Sequence, residues 1–297
     1  NKDFSYQNED SKNTPQAFKQ AAADVHIQFC LAQVDSKGNK TSGIIRKHTS
    51  TVNFSADDKM KFTGAGGDDA WDSDHYLNIW VCGLTSKSLG YATPPGGSAD
   101  RDGVVISYDV FGTTGNLRKP FDKGRTATHE IGHWMGLKHI WGDQDCGDDG
   151  VDDTPRQKTY NFGCPSFPHL SDCSADANGD MFMNFMDFSD DACMNMFTIG
   201  QKQKMRSLFA KGNSRNTFLS SSACDSVVTE PAAPVKTDNP AETASVASFK
   251  IYPSLVSSNL TIEYKSTTVL SPKTVAIFNV YGAKVYSNTI SQPTSGI

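Results

Sequence analysis

The sequence predicts an α+β protein, and three observations carry that expectation. Short β-type runs bounded by turn residues fill the chain as far as Phe111, two later helices follow, the second opening at a capping-box pattern, and four more alternating runs follow residue 248. At 297 residues, one large domain plus an appendage is the natural division.

In chain order, Asn13-Thr14-Pro15 predicts a helix start, a cap followed by proline in the first turn, and residues 16–23 continue it. β-type runs come next at 25–32, 43–47, 76–84, 89–93 and 104–111. Turn clusters such as Ser36-Lys37-Gly38-Asn39 and Pro94-Pro95-Gly96-Gly97 separate them. A helix is expected to begin near residues 126–128. An irregular, Gly- and Asp-rich region spans 140–197. The last helix opens at Thr198, which with Gln201 forms a capping-box pattern, and runs to about Lys211. From Asp225 to Ser248 the composition shifts to Pro, Ala, Thr, Ser and Val, which reads as a linker. After it, runs at 249–252, 260–264, 275–280 and 283–286 predict a small β-sandwich-like segment without a chemical motif of its own. The expected domains are 1–225, a linker at 226–247, and 248–297.

Composition excludes some partners. The net charge of -5 argues against a nucleic-acid ligand. No stretch approaches the roughly 18 apolar residues of a membrane span. The chain opens on polar Asn1-Lys2-Asp3, so any export signal is expected to have been removed or left out. Seven cysteines favour an oxidising compartment. Four of them, Cys146, Cys164, Cys173 and Cys193, lie in the irregular region, where spacing alone does not choose among the pairings. A second zinc site there would want a C-x-x-C pair or a nearby ligand histidine, and the sequence offers neither. Cys30 and Cys82 sit in strand-like segments as either a cross-strand bridge or buried thiols, which leaves Cys224 as the odd one.

The chemistry concentrates in residues 129–139, His-Glu-Ile-Gly-His-Trp-Met-Gly-Leu-Lys-His, which read H-E-x-x-H-x-x-G-x-x-H. Five fixed positions would match by accident in roughly one chain in ten thousand of this length. On a helix His129 and His133 project from one face and can hold one Zn²⁺. Glu130 sits beside them, placed to touch a metal-bound water. Gly136 can take positive φ, break the helix and return the chain so that His139 becomes a third ligand. Three protein nitrogens plus water make an open, catalytic site rather than a closed structural one. The alternative, a solvated helix face, does not require three of the chain's seven histidines within eleven residues. Asp148, Asp149, Asp152 and Asp153 supply clustered oxygen ligands of the kind Ca²⁺ takes, without EF-hand spacing; a solvated acidic loop is the alternative.

The zinc motif followed by Asn184-Phe185-Met186-Asp187-Phe188 resembles the metzincin zinc peptidases. The pappalysin-like branch is indicated by Gly124-Arg125-Thr126-Ala127-Thr128, His139-Ile140-Trp141-Gly142-Asp143, Asp152-Asp153-Thr154-Pro155 and Asp190-Asp191-Ala192-Cys193-Met194. The resemblance covers about residues 1–225. It implies a twisted, mostly parallel sheet with helices above a zinc cleft and an irregular C-terminal subdomain, with Met186 as an apolar floor beneath the metal. It further implies calcium, the disulfides Cys146–Cys173 and Cys164–Cys193, and residues 89–93 as the upper rim of the cleft. The loop 186–194 would line the pocket for the residue after the cut, where Asp190 and Asp191 would favour Arg or Lys unless they are solvated or bind calcium.

Two departures stand out. Phe188 occupies a position where many metzincins carry a tyrosine, which is expected to alter the rate rather than abolish activity. The chain is also expected to begin inside the family's domain, without its first strand and helix and without a pro-segment. Residues 249–253 and 277–282 resemble the C-terminal sorting domain of Bacteroidetes type IX secretion. A carbohydrate- or protein-binding β-module is the alternative for that segment. The expected function is therefore a secreted or cell-surface zinc endopeptidase, with Glu130 as general base and acid, acting on protein or peptide substrates and exported by the type IX machinery. A non-catalytic zinc-binding surface adhesin and a zinc hydrolase of small amides are the rivals.

Overall fold

A computed structural model describes residues 1–85, 88–174 and 177–225, together with four backbone stretches at 248–252, 261–265, 273–278 and 284–290. The chain divides into two compact units, Asn1–Thr229 and Glu230–Ile297. The expected linker, 226–247, lies outside the described residues.

The sheet of the first unit is built on one apolar run. Val104, Val105 and Ile106 are all fully buried, the signature of a central strand covered on both faces. Strand β1 (Ile79–Cys82) runs parallel to β3 (Val104–Ser107), with Ile79 opposite Val104 and Cys82 opposite Ser107. Strand β2 (Gly90–Ala92) is antiparallel to β3, with Gly90 opposite Ile106. The order β1-β3-β2 makes the sheet mixed and leaves β2 at an edge. Period-two alternation sorts the side chains of β3. Val104 and Ile106 join the core formed with Ile131, Trp134 and Met186, whereas Val105 packs on the other face against Phe54 and Met60.

Helix α1 (Arg125–Trp134) packs on β2 and β3. Helix α2 (Ile199–Ser207) starts at the Thr198–Gln201 capping box, whose two reciprocal bonds are both present. A second core, Ile140, Trp141, Met181, Met183 and Met196, fills the region between the helices in sequence. Otherwise that region has little regular structure. Disulfides Cys146–Cys173 and Cys164–Cys193 cross it, each closing a loop for which chain entropy contributes about 3–4 kcal/mol. Cys30 pairs with Cys224, 194 residues away, so Cys82 rather than Cys224 is the unpaired cysteine.

Three expected elements take other forms. The helix expected at 13–23 is a 3-10 turn over Glu9–Asn13 followed by separate turns, such as the bond from Phe18 N to Pro15 O. Only Phe18 and Ala23 of that segment are buried hydrophobics, too few for an amphipathic stripe. The run at 25–32 is extended but unladdered. His26 lies in the left-handed region at φ 57°, and Phe29 N bonds the Asn1 side chain instead of a strand. The run at 43–47 also lacks a ladder, beginning at Gly43 with φ 68° pressed against the Ala32 backbone. In the second unit, β4 (Ser248–Tyr252) pairs antiparallel with β5 (Thr261–Lys265), and β6 (Lys273–Phe278) with β7 (Lys284–Ile290). Among the described residues no helix is long and apolar enough to cross a membrane.

Candidate metal centre

Helix α1 ends in a Schellman motif that fixes the geometry of the site. Gly136 sits at φ 81°, its N–H bonds His133 O at 2.8 Å, and Leu137 N bonds Gly132 O at 3.0 Å. The reversed chain then brings His139 back over the helix. His133 Nε2 lies 3.0 Å from both His129 Nε2 and His139 Nε2.

Each ring is oriented through its other nitrogen. His129 Nδ1 meets Phe185 O at 2.7 Å, His133 Nδ1 meets Leu137 O at 2.8 Å, and His139 Nδ1 meets the Asp143 carboxylate. All three partners are acceptors, so each Nδ1 carries the proton and each Nε2 presents a lone pair inward. Three convergent lone pairs repel one another unless a cation lies between them, which is the donor set Zn²⁺ takes. Burial and the neighbouring imidazoles hold His129 well below the usual histidine range, and burial brings His133 to about 4. Burial also lowers His139 against the opposing pull of Asp143. The imidazoles are thus neutral near pH 7, as metal ligands must be. Among the described residues this is the one group of His, Cys, Asp and Glu whose ligand atoms converge.

Glu130 is 6% exposed on the same helix, and burial pushes its carboxyl up to about 8. It faces β2: a Cβ added at Gly90 would lie 3.1 Å from Glu130 Oε1. Met186 is fully buried in the turn that supplies Phe185 O, and its own carbonyl accepts from Ile140 N at 3.1 Å. That turn is anchored by Asn184, whose Oδ1 accepts from Met186 N and whose amide exchanges two 2.9 Å bonds with Gln201 of α2. Phe188 touches both His139 and His129 edge-on or tilted, with centroids at 4.8 and 5.6 Å. It offers no hydrogen-bond donor.

The acidic residues take divergent roles. Asp191 is 2% exposed and accepts from Lys123 N at 2.7 Å and Arg125 N at 3.3 Å, so it satisfies amides at the start of α1, where Gly124 has no side chain to do so. Asp190 is half-buried with its carboxylate unpartnered among the described residues. Asp153 accepts from Thr198 Oγ1 at 2.6 Å and Gly200 N at 2.8 Å and so supports the start of α2. Asp148 is exposed and pairs with Arg156. Asp149 is 4% exposed, burial pushes it up to about 6, and its Oδ2 has no partner. Asp148, Asp149, Asp152 and Asp153 line one cleft of about 550 Å³ without converging on a common point.

Several residues shape the site through contacts that the sequence does not mark. Arg125 is held by Asp3 and Asp10, the latter at 2.7 Å, and Asp3 also accepts from Thr128 of the same helix. Asp102 binds Trp134 Nε1 and Arg215 behind α1. Asp187, fully buried, holds the loop at 157–161 through Gln157 and Asn161. Their partners lie 26 to 125 residues away, beyond any spacing rule.

The family model described as pregnancy-associated plasma protein-A matches residues 65–210. The mature mirolysin of Tannerella forsythia, solved in complex with a cleaved peptide, is 50% identical with a TM-score of 0.72, over 73% of this chain and 84% of that one. An extracellular metalloprotease of Verticillium alfalfae is 37% identical over 142 residues, 45% of this chain and 49% of its own length. Extracellular metalloprotease 1 of Coccidioides posadasii is 40% identical over the same length, again 45% of this chain and 49% of its own. The chain thus spans about half the length of the curated relatives it matches.

Proposed function

Because this chain belongs to the pappalysin family of metzincin metallopeptidases, we propose that it is a secreted zinc endopeptidase with its centre at His129, His133 and His139. The observation that carries the proposal is the convergence of three Nε2 lone pairs, each fixed by an outward Nδ1 bond.

Zinc in such a site supplies Lewis acidity, polarising the scissile carbonyl and making water nucleophilic at neutral pH. With zinc held by the three histidines, the cation would favour the ionised carboxylate of Glu130, which takes the proton of the attacking water and returns it to the leaving amine. Its buried environment keeps bulk water from competing for that proton. Phe188 gives the oxyanion no hydrogen bond, so the chain's own contribution to oxyanion stabilisation is smaller than a tyrosine there would make it. The edge of β2, unpaired among the described residues, can accept an extended peptide as an added strand, and Gly90 keeps that strand close to Glu130. A preference for Arg or Lys after the cut would rest on the unpartnered Asp190, since Asp191 is engaged by backbone amides.

Calcium is the natural occupant of the loop at 148–153, supported by the orphaned, buried Asp149 Oδ2. Asp153 is already spent on α2, so Asp148, Asp149 and Asp152 are the side-chain ligands proposed. Export to the cell exterior is supported by the three disulfides and by relatives named as extracellular metalloproteases. Recognition of residues 248–297 by the type IX machinery rests on sequence resemblance alone; a truncation before residue 248 would stay inside the producing cell.

The test is cleavage of gelatin by the wild type and Glu130→Ala, with and without a zinc chelator, with fragments read by mass spectrometry. Loss of cutting in both the chelated and the mutant protein is expected. Zinc binding with no cleavage by the wild type would support the adhesin instead.

A further inference from the structure

A strip of aromatic rings leads outward from the metal centre. His139 is stacked on Trp141 at 4.3 Å between centroids and touches Phe188 at 4.8 Å. Tyr160 lies 5.6 Å from both Trp141 and Phe188, and Phe162 lies 4.7 Å from Tyr160 and 6.4 Å from Phe188. Burial falls along the strip. Trp141 is 6% exposed, Tyr160 43% and Phe162 68%.

These outer rings are held in place. Asn161, between them, donates its backbone N–H to Asp187 Oδ1 and its side-chain amide to Asp187 Oδ2, both at 2.8 Å. Gln157 Nε2 adds a 2.9 Å bond to the same carboxylate. Asp187 and Gln157 are fully buried and Asn161 nearly so, and the Cys164–Cys193 disulfide fastens the chain just past Phe162. Folding therefore fixes two aromatic rings in water instead of burying them. Rigid apolar surface at the mouth of a reactive site is binding surface.

We propose that Tyr160 and Phe162 form a subsite for a bulky apolar, preferably aromatic, substrate side chain within three residues of the scissile bond. The inference rests on the peptidase reading. Continuity with the metal centre selects the occupant. The strip starts on the rings of His139 and Phe188, so a peptide positioned for cleavage reaches it without leaving the site. Spacings of 4.8 and 6.4 Å carry the strip from His139 to Phe162, a reach that extended peptide covers in about three residues at roughly 3.3 Å each. Flat rings stack on rings, so Phe, Tyr and Trp side chains gain more there than aliphatic ones.

The experiment profiles a peptide library with the wild type, Tyr160→Ser, Phe162→Ser and the double variant, then measures kcat and KM on matched peptides. Large apolar residues should be enriched at one position within three of the cut. The double variant should lose about tenfold or more in kcat/KM on those peptides, mainly through KM, and less than about twofold on the same peptides with Ala at that position. Phe162→Ser alone, at the most exposed ring, should show part of the loss while unfolding within about 2 °C of the wild type. Chelator-sensitive cleavage without apolar enrichment, or enrichment that survives the double variant, overturns the subsite and leaves the peptidase. A wild type that cuts no peptide overturns both.

Discussion

Gly132 lies in the last turn of helix α1, where alanine would ordinarily be preferred by up to about 1 kcal/mol. The structure reverses that preference. A Cβ at this position would stand 2.5 Å from Met186 Sδ and 3.3 Å from its Cε, against an ordinary contact of about 3.5–4 Å. Roughly 1 Å must be absorbed by a side chain that is itself fully buried. Such overpacking costs about 1–3 kcal/mol, and the soft, unbranched thioether places the cost toward the middle of that range rather than its top. Subtracting the propensity gain leaves Gly132→Ala less stable by about 1 kcal/mol, a fall of about 2–4 °C in Tm for a domain of this size. Met186→Ala alone should cost about 2–5 kcal/mol as a cavity, but the added methyl fills part of that cavity. The two substitutions should therefore be coupled by about 1–2 kcal/mol. Urea unfolding of the wild type, both single variants and the double variant measures this directly. A Gly132→Ala protein that melts higher than the wild type, or strictly additive effects, would refute the argument that the floor of the site presses on the helix.

Three further outcomes follow from the same geometry. Asp143→Asn removes the one charged partner of the histidine triad and should weaken zinc binding about 10–100-fold in chelator competition; unchanged affinity would mean that the Asp143 contact does not tune His139. Asp149, raised by burial from 3.8 to about 6, binds more protons folded than unfolded. Without a cation, stability should therefore fall as pH rises from about 4 to about 6, by at most about 3 kcal/mol. Asp149→Asn should flatten that slope, and calcium at pH 7 should raise the Tm of the wild type but not of the variant; a Tm indifferent to calcium would remove the proposed site. Cys82 is half-buried and burial pushes its thiol up to about 11, so iodoacetamide at pH 8 should label it only after unfolding, as intact mass would record; rapid labelling of the folded protein would contradict this.

What could be read from the sequence was whatever neighbouring residues specify among themselves. The eleven residues from His129 to His139 contain a helix face, its terminator and the returning ligand, and the structure assembles them with Gly136 at φ 81°. Thr198 and Gln201 cap α2 through bonds spanning three residues. Val104 to Ile106 mark the central strand by burial on both faces. The run at 25–32 shows where this logic stops. Its alternation is real, since Val25 is fully buried and Ile27 and Phe29 pack against the core while His26, Gln28 and Cys30 are exposed, but a strand also needs a neighbour, and no neighbour is written locally. The cysteines teach the same limit, because the partner of Cys30 lies 194 residues on.

The aspartates show why composition is a poor guide to an acidic group's role. An acid at a pocket base, a calcium ligand and an acid that caps a helix are the same residue type in the same Gly- and Asp-rich context. What separates them is whether donors reach every buried oxygen of the carboxylate. Asp191 and Asp153 meet amides at the starts of α1 and α2, so much of their bonding capacity is committed to the fold. Asp187 meets the amides of Asn161 and Phe188 and two side chains, which makes it the post that holds the loop carrying Tyr160 and Phe162. Among the described aspartates, Asp149 alone combines deep burial with a buried oxygen that has no hydrogen-bond partner. A buried, unsatisfied carboxylate oxygen costs more than a satisfied one, so a fold that keeps it gains most from whatever fills the gap. By that criterion Asp149 is the aspartate whose chemistry points away from the protein and toward a ligand.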